Sequence, residues 1–276
     1  MKANRFFTTA IFSIIGVLAA AQPWMMRPQG PANEFSAMEG TSVLNYNLQM
    51  ERDIHSRAGF GPAFYIFPDS KLDNKQALEL AGKLDLVNII KEYGGRIMVV
   101  NPSSDKWQEQ DLENFRRLIG MGGSPTNVKV IGIGSGATFV NRHLAATDLT
   151  GVIAGIVSID GEPGKICKLP VPAFIGGKNA AKTAKPYQST SDAAPADPLQ
   201  KVVVNTDKKA SLETLFAEAW DKVLSENYRY NNLYRTFYMS RGIDNPEGVK
   251  NFELVSIPVF EKLGIQRNVV EYPLVD

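Results

Sequence analysis

With 276 residues, 44% of them hydrophobic and 21% charged, the chain is long enough to bury a sizeable core in one large domain or two small ones. Its formal charge of +1 comes with no lysine–arginine block or basic stripe, which argues against a nucleic-acid partner. The single cysteine, Cys167, leaves no internal disulfide, so the fold relies on its core and the thiol reads as a small buried hydrophobe.

Residues 1–21 carry the plan of a secretory signal peptide. Lys2 and Arg5 supply the positive start, residues 6–18 the apolar centre, and Ala19-Ala20-Ala21 the small-residue cleavage site before Gln22. The apolar stretch is short for a bilayer span and Pro23 follows it, so no stable membrane anchor is expected. No Cys stands at the cleavage site to carry a lipid. The expectation is an exported protein, periplasmic or extracellular, whose residues 22–276 form the mature domain.

Residues 22–45 lack periodicity and read as a surface wrap, and 42–57 can hold an edge strand or hairpin. Residues 62–67 are a short apolar run stopped by Pro68-Asp69-Ser70, the pattern of a buried strand. Leu80, Leu84, Val87 and Ile90 recur at helical spacing over 74–93, and Gly94-Gly95 ends that helix. Residues 96–100 form a second strand closed by Asn101-Pro102, and a helix opening at Asp105 carries Trp107, Leu112, Phe115 and Ile119. Strands follow at 128–133, 151–159 and 171–175. Residues 182–200, rich in Ala, Pro, Ser and Thr, read as a long loop, and about 182–240 as an insertion or lid. Within it Ser211 caps a helix whose stripe is Leu212, Leu215, Phe216, Ala219, Trp220, Val223 and Leu224, followed by a Tyr–Arg cluster from Tyr228-Arg229 to Tyr238. A short helix at 257–263 and a last strand at 268–274 complete the chain. Strand and helix in alternation imply right-handed crossovers and a mostly parallel sheet with helices on both faces.

Such sheets bind ligands beyond the carboxyl ends of their strands. That places Pro68, Asp69, Ser70, Asp160 and Asn179 around the expected cleft, with Tyr228 and Arg229 flanking it as stacking groups. The most telling end is 128–137, VKVIGIGSGA, where a β-branched run turns through small residues into a helix. This is the outline of a nucleophile elbow, G-x-S-x-G, with Gly132, Gly134 and Gly136 in the frame. The central position is Gly134, which has no side chain to attack anything. Ser135 is either a shifted nucleophile or a helix N-cap, and the shifted frame puts β-branched Ile133 where the turn wants Gly. The glycines lack the later Gly and acidic partner of a dinucleotide fingerprint, so no cofactor is expected, and no metal.

Residues 62–67, 128–137 and 170–177 resemble, in order and spacing, secreted α/β-hydrolase esterases of the poly(3-hydroxybutyrate) depolymerase and feruloyl esterase type. The resemblance spans 62–179, a little under half of the chain. It implies an α/β-hydrolase-like fold, and each chemical position departs from the family pattern. Gly134 stands at the Ser nucleophile, and Pro68-Asp69 at the His-Gly that shapes the oxyanion hole. Asn179 or Ala180 stands near the acid, and only 273–276 remain after 269–272, where the catalytic His would follow. The two histidines, His55 and His143, lie far from that point. The leading expectation is therefore a catalytically degenerate member of the family that binds a small ester, glycan or polymer ligand, or a protein partner, at the former cleft. The alternatives are an active ester hydrolase using Ser135 with His143 or another chain's residue as base, and a truncated piece of a larger secreted esterase.

Overall fold

Five consecutive residues, Ala63–Phe67, are all buried because the strand they form, β3, is covered on both faces. Tyr65 and Phe67 belong to the core on one face, Phe64 and Ile66 to the core on the other, as the two-residue period of a strand requires. The computed structural model describes residues 31–48, 63–93, 95–121, 128–149, 152–193 and 201–225. The remaining strands are β1 (Glu34–Ala37), β2 (Val43–Asn47), β4 (Arg96–Val100), β5 (Val128–Ile133), β6 (Ile153–Ile159), β7 (Ala173–Gly176) and β8 (Val202–Asn205). They build one eight-stranded sheet in the order β1-β2-β4-β3-β5-β6-β7-β8. β1 and β2 pair antiparallel, β2 meets β4 antiparallel, and every other pairing is parallel. The runs expected as parallel strands thus lie side by side.

Helices α1 (Asn74–Lys83) and α2 (Leu86–Tyr93) cover one face together with α6 (Leu212–Ala219), which runs on into a π-helical turn, Trp220–Leu224. Helices α3 (Gln110–Met121), α4 (Ser135–Phe139, extended by the π-helical Val140–Leu144) and α5 (Ala180–Ala193) cover the other.

Several expectations need correction. The single helix over 74–93 is two helices, because Asp85 adopts a positive φ of 54° between them. The helix expected from Asp105 begins at Gln110. The buried Asp111 carboxylate accepts N–H bonds from Ser103 (3.0 Å) and Gln108 (2.9 Å), which holds the preceding residues in an irregular turn. Part of the segment read as a surface wrap forms β1. The segment read as a loop contains α5 instead, despite Pro186 inside it; burial of Ala180, Ala184 and Tyr187 against the sheet outweighs the lost backbone bond. Val202–Asn205 then adds β8 parallel to β7. The described part of the expected insertion is therefore a continuation of the strand–helix alternation and belongs to the sheet. Tyr228 and Arg229, the helix at 257–263, the strand at 268–274, the leader and His55 lie outside the described residues.

Candidate functional site at the strand ends

Three neighbouring strands extend one residue past the sheet and stay bonded to one another. The Gly134 N–H donates to the Ile159 carbonyl (2.9 Å), Asp160 N–H to Gly176 (2.9 Å) and Gly177 N–H to Asn205 (3.0 Å). Gly134, Asp160 and Gly177 all have positive φ, 57°, 58° and 95°, which turns the chain sharply away from each strand. At Gly134 the conformation is φ 57°, ψ −119°, outside the regions open to ordinary L-residues, and α4 starts at the next residue. The corner is packed to contact. A Cβ at Gly132 would lie 2.6 Å from Ala137 Cα, and one at Gly136 would lie 2.5 Å from both Phe67 C and Pro68 O. Small residues are needed there so that helix and strand can touch.

The side chain that fills the elbow comes from another loop. A Cβ on Gly134 would stand 2.6 Å from Asp69 Cγ and nearer still to Asp69 Oδ1, so the Asp69 carboxylate occupies the space a nucleophile would use. The same oxygen accepts the Ser135 N–H at 2.6 Å. In an α/β-hydrolase the N–H after the nucleophile is one of the two oxyanion-hole donors. Here an internal anion takes it, and the positive end of α4 favours that charge. The loop holding Asp69 is pinned on both sides. Trp107 donates its indole N–H to the Pro68 carbonyl (3.0 Å), and the buried Asn101 side chain pairs with both the N–H and the carbonyl of Leu72 (2.9 Å each).

Ser135 is exposed at the first position of α4, and the N-cap is Gly134, which corrects the reading of Ser135 as the cap. Its Oγ donates to the Asp69 carbonyl and makes no cap bond to the helix. His143 is stacked on Phe139, with ring centroids 5.4 Å apart. It stands eight residues along from Ser135, on the π-helical turn that extends α4, and its ring packs on Phe139.

A second carboxylate repeats the device. Asp160 Oδ1 accepts the Lys178 N–H (3.0 Å), and a Cβ on Gly177 would lie 2.8 Å from Asp160 Cγ. Asn179 donates to Glu162 Oε1 (2.9 Å), Glu162 N–H to Thr138 Oγ1 (2.9 Å), and Thr138 Oγ1 to the Gly134 carbonyl (3.2 Å), which ties the three strand ends together. Behind them Tyr187 OH donates to Asn141 Oδ1 (2.9 Å), and Asn141 Nδ2 to the Glu162 carbonyl (2.9 Å). Burial pushes the Tyr187 phenol well above its ordinary pKa, and the neighbouring Cys167 adds to the effect.

The structure thus brings Pro68, Asp69, Gly134, Ser135, Asp160 and Asn179 to one rim; Ser70 is exposed beside Asp69. Sequence reasoning placed Asn101 at a strand end but missed Trp107, Asn141 and Tyr187, which with it hold the rim in place. The one available signal was the position of Asn101 directly after a strand. Among the described residues, one more strand follows β7. The strand beside β7 is β8, and after it come Thr206, Asp207, Lys208, Lys209 and Ala210, folded by Asp207 N–H to Asn205 Oδ1 and Lys209 N–H to Asp207 Oδ1 bonds (both 2.8 Å). None of these residues is a histidine. Among the described residues no group of three or more His, Cys, Asp or Glu could hold a metal ion, and no helix is long and apolar enough to cross a membrane.

The antiparallel first pair, the crossed order of β3 and β4 and the strand–turn–helix corner after β5 decide the class. The fold is α/β-hydrolase-like. No protein-family model matches the chain, and no curated protein matches it in sequence. Solved structures do match. An α/β hydrolase enzyme from a Medee basin deep-sea metagenome library is 14% identical with a TM-score of 0.40, the match covering 63% of this chain and 78% of that one. Esterase B from Lactobacillus rhamnosis is 9% identical with a TM-score of 0.41, covering 96% of this chain and all of that one (100%). An acetyl xylan esterase from Aspergillus awamori is 14% identical with a TM-score of 0.38, covering 57% and 79%. Likeness at this distance transfers no residue role.

Proposed function

We propose that this protein is an exported α/β-hydrolase-like member of the secreted depolymerase and feruloyl esterase kind that has lost hydrolysis and binds a small ester, glycan or polymer, or a protein partner, at its strand-end cleft. One observation carries the reading: the Asp69 carboxylate fills the nucleophile's space at Gly134 and takes the Ser135 N–H. Acyl transfer needs a nucleophile, a base within hydrogen-bond reach and donors aimed at the developing oxyanion. Gly134 supplies no nucleophile, and a carboxylate in the hole opposes negative charge developing there. The residues directly after β8, Thr206 to Ala210, include no histidine, and after 269–272, where the family's His would follow, only 273–276 remain.

The test is turnover of short-chain aryl esters by the purified protein, with fluorophosphonate labelling and Ser135→Ala alongside. No burst, no label and no turnover are expected. Turnover that disappears with Ser135→Ala, with the label on Ser135, would overturn the reading in favour of a Ser135 hydrolase. Co-sedimentation with poly(3-hydroxybutyrate) granules and equilibrium binding of soluble glycans test the ligand class. Mass spectrometry of the secreted protein should find its N-terminus near Gln22, and retention of residues 1–21 would refute export by cleavage.

A further inference from the structure

We infer that Asp69 is a built-in occupant of the oxyanion place and forms, with Gly134, a two-residue lock: a reactive group restored at the elbow stays inert until the Asp69 carboxylate is removed as well. This goes a step beyond the non-hydrolytic reading, on which it rests, because it says why a single substitution at the elbow does not restore chemistry.

Three features make the contact a lock. Volume comes first: any Cβ at Gly134 falls within 2.6 Å of Asp69 Cγ. The hydrogen bond is the second: Ser135 N–H is already given to Asp69 Oδ1 at 2.6 Å, and one N–H cannot also serve a tetrahedral oxyanion in the same place. Charge is the third: an oxyanion would form beside the carboxylate that accepts this N–H, where like charges repel at close range. The loop backbone that carries the carboxylate is held in place. The Asp69 carbonyl takes the Ser135 hydroxyl, the preceding carbonyl takes the Trp107 indole N–H, and Leu72 is held by Asn101 three residues on. The neighbouring strand end carries the same arrangement, Gly177 with Asp160 and the Lys178 N–H. A carboxylate seated against a positive-φ glycine and capping the next N–H is therefore a stable motif of this rim, used twice.

The experiment places a thiol at the elbow, because a thiolate attacks esters without a partner base. Gly134→Cys and the double variant Asp69→Gly/Gly134→Cys are compared in the full chain, with p-nitrophenyl acetate as probe. The thiol loses its proton to solvent, the sulfur attacks the ester carbonyl, a C–S bond forms, and the C–O bond to p-nitrophenolate breaks with its electron pair leaving on the phenolate. The native protein, whose buried Cys167 is its only thiol, gives the background. The positive φ at Gly134 strains a Cys equally in both variants and cancels from the comparison. The double variant should be acetylated about 10²-fold faster than Gly134→Cys alone, the usual worth of a freed oxyanion donor. Equal rates overturn the lock. If Gly134→Cys fails to fold while the double variant folds, the volume part of the lock is established directly. If neither folds, Asp69→Gly alone is read by amide hydrogen exchange: the Ser135 N–H should exchange faster than in the native protein, and unchanged exchange overturns the inference. Ester turnover by the native protein would instead sink the non-hydrolytic reading, a different result from equal rates in the two thiol variants.

Discussion

Gly136→Ala and Gly82→Ala make the same chemical change in two helices and should move stability in opposite directions. In α4 the new methyl at residue 136 meets only backbone: Phe67 C and Pro68 O at 2.5 Å, with Phe67 O nearer still. Ordinary contact begins near 3.4 Å, so helix and strand must part by about 1 Å. Neither side can yield locally, because β3 is bonded between β4 and β5 and Phe67 packs on Phe139 with centroids 5.8 Å apart. Overpacking of this kind costs about 3 kcal/mol, the upper part of the usual range. The helix propensity of Ala over Gly returns about 1 kcal/mol. A net loss of roughly 2 kcal/mol follows, a fall in Tm of about 4–8 °C for a chain of this size. Gly82, in α1, has nothing within 4 Å of a Cβ, so only the propensity term acts and Gly82→Ala should stabilise by up to about 1 kcal/mol. Thermal unfolding by calorimetry on both variants decides the matter. A Gly136→Ala protein as stable as the native one would show that the corner is not packed to contact and would refute the account of its glycines.

Three further outcomes follow from the core and its buried hydroxyls. Phe216→Ala, at a ring 2% exposed in the core under α6, should cost about 3–5 kcal/mol in chemical denaturation, whereas half-buried Trp220 should cost less than Phe216. Tyr187→Phe leaves Asn141 Oδ1 without its donor and should cost about 1–3 kcal/mol by the same measurement. Burial raises the pKa of the Cys167 thiol and the Tyr65 and Tyr187 phenols, so the folded chain holds these protons longer than the unfolded one. Their contribution is fully present below the unfolded values and is lost as pH rises, beginning at about pH 9 for the thiol and about pH 10 for the phenols. Tyr187→Phe should flatten that alkaline decline in a pH series of melting curves; an unchanged slope would count against the buried phenol.

The parallel strands were legible because their apolar runs are long enough to be buried on both faces and end at Pro, Asn, Gly or Asp. The corner at 128–137 was legible for a related reason, since small residues at two-residue spacing have few other uses. Residues 180–205 were not: Pro186 and the Ser, Thr and Ala around it have loop composition, and only tertiary burial of Ala184 and Tyr187 makes them a helix. The four residues of β8 were too short to stand out against the loop-like composition around them. The most consequential contact was invisible for a different reason. Asp69 and Ser135 are separated by 66 positions, and no local pattern reports that a loop carboxylate reaches the turn after another strand. The resemblance put Asp69 at the oxyanion loop; the sequence could not show that its carboxylate reaches the space at Gly134 and takes the Ser135 N–H.

Trp107 bridges the two sides of that contact. Its indole donates to the carbonyl directly before Asp69, and its ring stacks on Phe139 of the elbow helix at 4.8 Å and 25°. The chain has three tryptophans, the others being Trp24 and Trp220. With those two replaced by Phe, emission from a single indole would register any change in the distance or hydration between the Asp69 loop and the helix. The rim therefore carries its own fluorophore, and titrations or stopped-flow mixing can follow it without an attached label.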